Sequence, residues 1–369
     1  MRLKSKGAAK ALFWSDFFAI KNVAVSSCRG TDCQCITPGL GPGRVERKIR
    51  SPIMHTGSHR IKIVVICGPT GVGKTAVAVA VGQALGAEVV GADAMQVYRG
   101  MDIGTAKPTA VEKTAVRHHL IDVVDPDQPF DAACYARLAR QVICELHGRG
   151  IGALVVGGTG LYIRALTEGL FDVAASNEVL RRELARQAQR HGAAAMHARL
   201  AQVDPDTAAR LHPNDAFRVV RALEVYHVTG RPLSAHHRDH GFADRPFDVL
   251  KIGLTMDRPA LYRRLDQRVQ AMIAAGLLDE VKGLLDAGYK PQLKSMQSIG
   301  YRHMAAFVQG TLPWDDAVAA FKRDTRRYAK RQMTWFRTDT QVCWYDPMQA
   351  DAVIQRVATF GLMDKRPSG

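Results

Sequence analysis

Apolar residues follow two rhythms along this chain. From residue 60 onward, short unbroken apolar runs alternate with stretches of helical period. Residues 61–67 (Ile-Lys-Ile-Val-Val-Ile-Cys) read as a strand, 74–85 as an Ala/Val-rich helix and 87–91 as a short strand. Next come a strand at 119–124, a helix at 134–148, a strand at 153–156 and a helix at 161–166. Near-continuous apolar strands separated by helices predict an α/β fold, a P-loop-type parallel sheet with helices on both faces. Between about 175 and 245 the strand signal stops. Residues 178–189, 193–201, 207–211 and 216–228 read as helices, with a polar turn at 236–240, before 248–255 returns as a strand. The expected layout is therefore a core in two parts (59–174 and 246–347) split by a helical insertion (175–245), with a tail at 348–369. In the second part, 261–273 sets Leu261, Leu265, Val269 and Met272 on one stripe and Arg264 and Arg268 on another. Residues 315–337 form a long helix whose Arg323, Arg327 and Arg331 recur every four residues beside Trp335 and Phe336.

Chemistry enters at the first strand's end. Gly68, Pro69, Thr70, Gly71, Val72, Gly73, Lys74 and Thr75 form a complete G-x-x-x-x-G-K-[ST] loop between a strand and a helix. That context lets backbone N–H groups and a helix N-terminus surround phosphate, with Lys74 on the terminal phosphate and Thr75 on Mg²⁺. An NTPase of this type also needs an apolar strand ending in Asp to hold the metal. Here the strand 153–156 runs into Gly157-Gly158-Thr159-Gly160, and no acid lies there. A diphosphate leaving group fits this mismatch better than a transferred γ-phosphoryl. Lys74, Asp93 and Thr159 all fall just past strand ends, where ligands collect in such sheets.

Charge adds a partner. The net charge of +16 favours a polyanion such as nucleic acid. The basic stripe on 315–337, offset only by Asp315, Asp316 and Asp324, is suited to a phosphate backbone. Seven cysteines without a C-x-x-C pair support neither a disulfide framework nor a cysteine zinc site, and fit a reduced, cytosolic chain. His236, His237 and His240 have ligand-like spacing, but solvated loop histidines explain them better than a metal. No apolar run reaches the ~18 residues of a spanning helix. Residues 1–58 hold ten Lys/Arg against three acids and resemble either a transit peptide or an over-extended gene start ahead of Met54. The second reading is preferred, leaving Cys28, Cys33 and Cys35 without chemistry.

Taken together, the ordered motifs carry a resemblance. They are the Gly68–Thr75 loop, 93–98 (Asp-Ala-Met-Gln-Val-Tyr), 100–108, 118–122, 157–162, 212–215, 221–224, 298–302 and 330–337. Over roughly residues 60–345 the chain resembles the tRNA isopentenyltransferase (tRNA dimethylallyltransferase) family. It departs in Ala94, where the family usually has Ser. No Cys₂His₂ finger follows the basic helix, so the bacterial form is the one resembled.

The resemblance implies transfer of a dimethylallyl group from its diphosphate to N6 of the adenosine on the 3′ side of the tRNA anticodon. It implies Asp93 as general base, Thr159 on the bridging or leaving oxygen, and Lys74 and Arg268 as neutralising cations. It places tRNA contacts, within the anticodon stem-loop, on Asp93, Ala94, Met95, Gln96 and Thr159 and on Arg181. Further contacts map to Phe217, Arg218, Val219, Val220 and Arg221, and to Gln297, Ser298, Ile299, Gly300, Tyr301 and Arg302. Mg²⁺ is the expected cofactor, through Thr75, and a cytoplasmic monomer the expected form. Two rivals remain open: a P-loop kinase consuming ATP, and a non-catalytic RNA-binding switch that uses bound nucleotide for conformational change.

Overall fold

In a computed structural model, residues 60–169, 177–240 and 244–362 are described. The expectations for 1–58 fall outside them. Among the described residues six strands build the sheet: β1 (Ile61–Cys67), β2 (Glu88–Gly91), β3 (His118–His119), β4 (Ala153–Gly157), β5 (Phe247–Leu254) and β6 (Val342–Tyr345). All pair in parallel, in the order β3-β2-β4-β1-β5-β6. Around it run α1 (Lys74–Leu85), α2 (Ala110–Ala115), α3 (Ala132–Gly148) and α4 (Gly160–Glu168). The insertion contributes α5 (Glu178–Val203), α6 (Pro205–Arg210), α7 (Ala216–Thr229) and α8 (Leu233–His240). Beyond β5 come α9 (Arg258–Ala274), α10 (Leu277–Asp286), α11 (Tyr301–Val308), α12 (Trp314–Arg337) and α13 (Ala350–Phe360).

Strand β1 explains why the sheet needs covering on both faces. Its side chains alternate, so Ile63, Val65 and Cys67 enter one core and Val64 and Ile66 the other. Both sets are buried. The first core joins residues of α3, α4, α10 and α11, the second those of α1, α9 and α13. The insertion has an apolar cluster of its own, with Leu184 and Leu200 of α5 against Val219, Val220 and Leu223 of α7. Gly192, at φ 83°, breaks α5 where the two apolar helical patterns part.

Four expectations change. The strand expected at 119–124 shrinks to His118–His119, because Leu120 (φ 60°) and Asp122 (φ 58°) adopt left-handed conformations that no strand tolerates. Only a single bridge, Tyr98 to Val124, survives beyond it. The polar turn at 236–240 is the end of helix α8. The expected tail holds α13, whose Val353 and Val357, four apart, are fully buried in the second core. Ahead of it lies β6, which adds a sheet edge of four residues, too short for its alternation to register.

Candidate active site

The carboxyl edge of the sheet brings the predicted residues together. Strands β2, β4 and β1 are adjacent, so Asp93, Thr159 and the 68–75 loop emerge side by side. The loop geometry depends on glycine. Gly68 lies at φ 141°, and a Cβ there would sit 2.6 Å from the Leu254 carbonyl oxygen. Helix α1 starts from Gly73 with no side-chain cap, which leaves its first N–H groups for an anion. The Lys74 ammonium folds back on its own loop, donating to the Gly68 (3.0 Å) and Pro69 (2.8 Å) carbonyls.

Asp93 caps its own turn: Oδ1 accepts from the N–H of Met95 (2.8 Å) and Gln96 (3.3 Å). Thr159 Oγ1 accepts from the Ala94 N–H at 3.0 Å, tying the β4 exit to the β2 exit. Ala94 contributes its backbone here, so this tie does not require the family's usual Ser. Helix α9 supplies Arg268, whose charge acts on both Asp93 and Lys74. Burial pushes Lys74 down to about 8; Asp93 opposes the fall and Arg268 adds to it. Burial also lowers Arg268, against the pull of Asp93. Cys67, at the end of β1, is pushed by burial up to about 12, so no thiolate is available beside the loop.

Two further residues, Gln332 and Tyr328, escaped the sequence reading, and Arg264 was placed only on a stripe of its helix. Gln332 on α12 is 6 % exposed and bridges two loops. Its Oε1 accepts from the Thr70 N–H (2.8 Å), and its Nε2 donates to the Gly158 carbonyl (2.9 Å). A Cβ on Gly158 would meet Nε2 at 2.2 Å, which accounts for the glycine. Tyr328, one turn earlier, hydrogen-bonds Thr159 through its hydroxyl and is raised, first by burial and then by Asp93. Arg264 lies beside the loop, its guanidinium 3.8 Å from where a Gly73 Cβ would stand. Tyr328 and Gln332 each lie one position past a stripe arginine, off the four-residue spacing, so the charge pattern does not mark them. Arg326 Nη1 donates to both carboxylate oxygens of Asp266 (2.6 and 2.7 Å), which ties α12 to α9 and so registers these residues against Arg268.

The residues expected to meet tRNA divide. Phe217 stands 71 % exposed at the start of α7. Arg181 (2.9 Å) and Arg221 (2.8 Å) both pair with the fully buried Glu224 carboxylate, which holds their half-exposed guanidinium groups in place. Arg218 pairs with Asp215 and is largely exposed. Val219 and Val220 are corrected: both are buried in the insertion core, so their side chains cannot meet RNA. Tyr301 is likewise fully buried, its hydroxyl donating to Glu280, and Gly300 is buried beside it. Ser298 and Ile299 are partly buried; Gln297 is exposed and donates to the Pro291 carbonyl at 2.7 Å. Arg302 is turned onto Asp324 at 2.5 Å.

Fold and crevice together define an α/β protein that sets an anion cradle and two cations beside a carboxylate at a sheet edge. Two family models match the chain, one described as IPP transferase over residues 96–339 and one as isopentenyl transferase over 61–124. The chain belongs to the IPP transferase family. It is 53% identical over 287 residues to a tRNA dimethylallyltransferase of Desulfosudis oleivorans, covering 78% of this chain and 91% of that protein. A tRNA dimethylallyltransferase of Geobacter sulfurreducens is 52% identical, with 80% and 95% covered. Among solved structures, the tRNA isopentenylpyrophosphate transferase of Bacillus halodurans is 41% identical with a TM-score of 0.61, over 81% of this chain and 96% of that one. A eukaryotic dimethylallyltransferase acting on tRNA reaches a TM-score of 0.68 at 29% identity, over 83% and 80%.

Proposed function

We propose that this protein transfers a dimethylallyl group from dimethylallyl diphosphate to N6 of the adenosine 3′ to the anticodon (position 37) of tRNA, releasing diphosphate. The observation that carries the reading is the Asp93 carboxylate, held by two N–H groups, beside Lys74 and Arg268 at a sheet edge whose β4 ends in glycine. An adenine amino group is a weak nucleophile because its lone pair is delocalised into the ring. As the N6–C1 bond forms and the C1–O bond to diphosphate breaks, Asp93 takes the N6 proton. The negative charge growing on the departing diphosphate meets Lys74, Arg268, the uncapped start of α1 and the Thr159 hydroxyl. Donors placed in advance where charge develops are worth ~10²–10³ in rate each.

Mg²⁺ prefers oxygen ligands and keeps waters, being held chiefly through substrate phosphates. The Thr75 hydroxyl beside Lys74 suits that, and among the described residues no group of three or more His, Cys, Asp or Glu gathers to hold a metal alone. Bound there, it would add positive charge against the diphosphate. The target base must leave its stack to reach the crevice, which a single-stranded anticodon loop permits. The exposed arginines and Phe217 of the insertion favour tRNA as the partner. No helix among the described residues is long and apolar enough to cross a membrane, and a cytoplasmic monomer is the form we propose.

The experiment is mass spectrometry of tRNA nucleosides after incubation with dimethylallyl diphosphate and Mg²⁺. N6-isopentenyladenosine is the expected product, and inorganic pyrophosphate should compete with the allyl donor. Consumption of ATP in place of the allyl donor, with no inhibition by pyrophosphate, would favour the kinase reading instead.

A further inference from the structure

Helix α10 sends one carboxylate across to the loop behind the base. Glu280 Oε2 accepts from the N–H groups of Asp102 (2.9 Å) and Ile103 (2.8 Å). Its Oε1 accepts from the Gly104 N–H (3.2 Å) and the buried Tyr301 hydroxyl. Three successive N–H groups converging on one site form an anion nest, and here the chain fills its own nest. The loop needs the support. Ala106, two residues on, holds a φ of 49°, a left-handed value that costs a residue with a Cβ. Tyr301 also packs against Gly104, where a Cβ would come within 2.4 Å of the ring.

What this loop holds is the Gln96 side chain. Its Nε2 donates to the carbonyls of Thr105 (3.2 Å) and Ala106 (3.0 Å). With the amide nitrogen committed to two acceptors, only Oε1 remains to meet an incoming group. Gln96 is also joined to the base, because its own N–H donates to Asp93 Oδ1. An acceptor-only amide beside a carboxylate suits a base that presents an exocyclic amino group.

We infer that Glu280 is a positioning residue for the transfer. By filling the 102–104 nest it fixes the loop whose carbonyls orient Gln96 beside Asp93, and so sets how the target amino group is presented. Glu280 touches neither substrate. The inference rests on the transferase reading above.

A double-mutant cycle tests it. Glu280→Gln keeps the shape but turns one acceptor oxygen into a donor facing donors. Saturation kinetics in tRNA and in dimethylallyl diphosphate are compared for wild type, E280Q, Q96A and E280Q/Q96A. The expected result is a fall in kcat/KM for tRNA of about 10²-fold in E280Q, the scale of a small misplacement at a reacting centre. Affinity for the allyl donor should hold, and adding E280Q to Q96A should cost little more. Losses that multiply in the double variant, wild-type kinetics in E280Q, or an equal loss of donor affinity would each overturn the inference. If circular dichroism shows E280Q unfolded, Y301F replaces it in the same cycle, since it keeps the carboxylate and removes one partner, and the same outcomes decide. Product from wild type in these assays separates the two claims: its absence strikes the transferase reading, while its presence with no coupling between Glu280 and Gln96 strikes only this one.

Discussion

Asp93 and Lys74 carry opposite charges in one crevice, and their roles separate on substitution. Removing the carboxylate by Asp93→Ala leaves the anion cradle intact, so turnover should fall by at least about 10²-fold while affinity for the allyl donor changes little. Near-normal turnover in that variant would remove Asp93 from the mechanism. Lys74 gives a prediction in pH. Burial pushes it down to about 8, so in the free protein its charge is present below that pH and lost above it. A diphosphate is held less well by a neutral amine, so kcat/KM for the allyl donor should decline as pH rises through about 8. The decline should vanish in Lys74→Ala, which starts from a lower plateau if the charge serves both bound donor and leaving group as proposed. A pH profile with the same alkaline limb in both proteins would assign the limb to another group. At this scale the sequence was informative wherever chemistry rides on a local motif. Lys74 and Thr75 follow from loop spacing, but the Glu280 nest and the Gln332 bridge join residues far apart in the chain, and no local pattern carries them.

Helix α12 shows how one element can serve two surfaces. Its inner side presents Gln332 and Tyr328 to the crevice, and Ala317, Phe321 and Phe336 to the core. Its basic side was legible from the four-residue spacing of Arg323, Arg327 and Arg331, but not what those arginines touch. Arg323 (3.2 Å) and Arg327 (3.5 Å) both approach Asp324, which already holds Arg302, and Arg331 lies 5.8 Å over the Tyr328 ring. Three guanidinium groups around one carboxylate leave the cluster positive, so internal pairing and RNA contact are compatible. Replacing Arg323, Arg327 and Arg331 together with Gln should weaken binding of every tRNA alike. It should flatten the salt dependence by up to about 0.9 log units per lost duplex-phosphate contact, with donor affinity unchanged. Filter binding across a salt series decides the matter: identical slopes for wild type and variant would leave the stripe to intramolecular pairing alone, where exposed pairs are worth only ~0.2–1 kcal/mol.

Across the whole molecule, the alternation of strands and helices up to residue 166 was enough to anticipate a parallel sheet, because buried parallel strands leave unbroken apolar runs. What lay beyond it was harder to read. Strand β6 is four residues long, and α13 declares itself only through Val353 and Val357, which join residues of α1 and of the sheet in the second core. Polar contacts between distant elements also join the second part of the core, and His303 of α11, facing Asp324 of α12, is one that titrates. It is 5 % exposed, its Nδ1 accepts from the Gly300 N–H at 3.2 Å, and its Nε2 lies 3.2 Å from Asp324. Burial, with the Arg302 charge, pushes it from 6.5 down to about 4 despite Asp324. The folded state therefore binds fewer protons than the unfolded chain between those values, and its stability should fall as pH drops from 6.5 toward 4. The limiting slope for one such group is ~1.4 kcal/mol per pH unit. Substituting His303→Asn keeps an acceptor near Gly300 and removes the titration. Urea unfolding of both proteins between pH 7 and pH 4, compared at each pH, cancels the carboxylates they share. The wild type should lose more stability than the variant over this range, and parallel curves would show that His303 titrates in the folded protein as it does in the unfolded one.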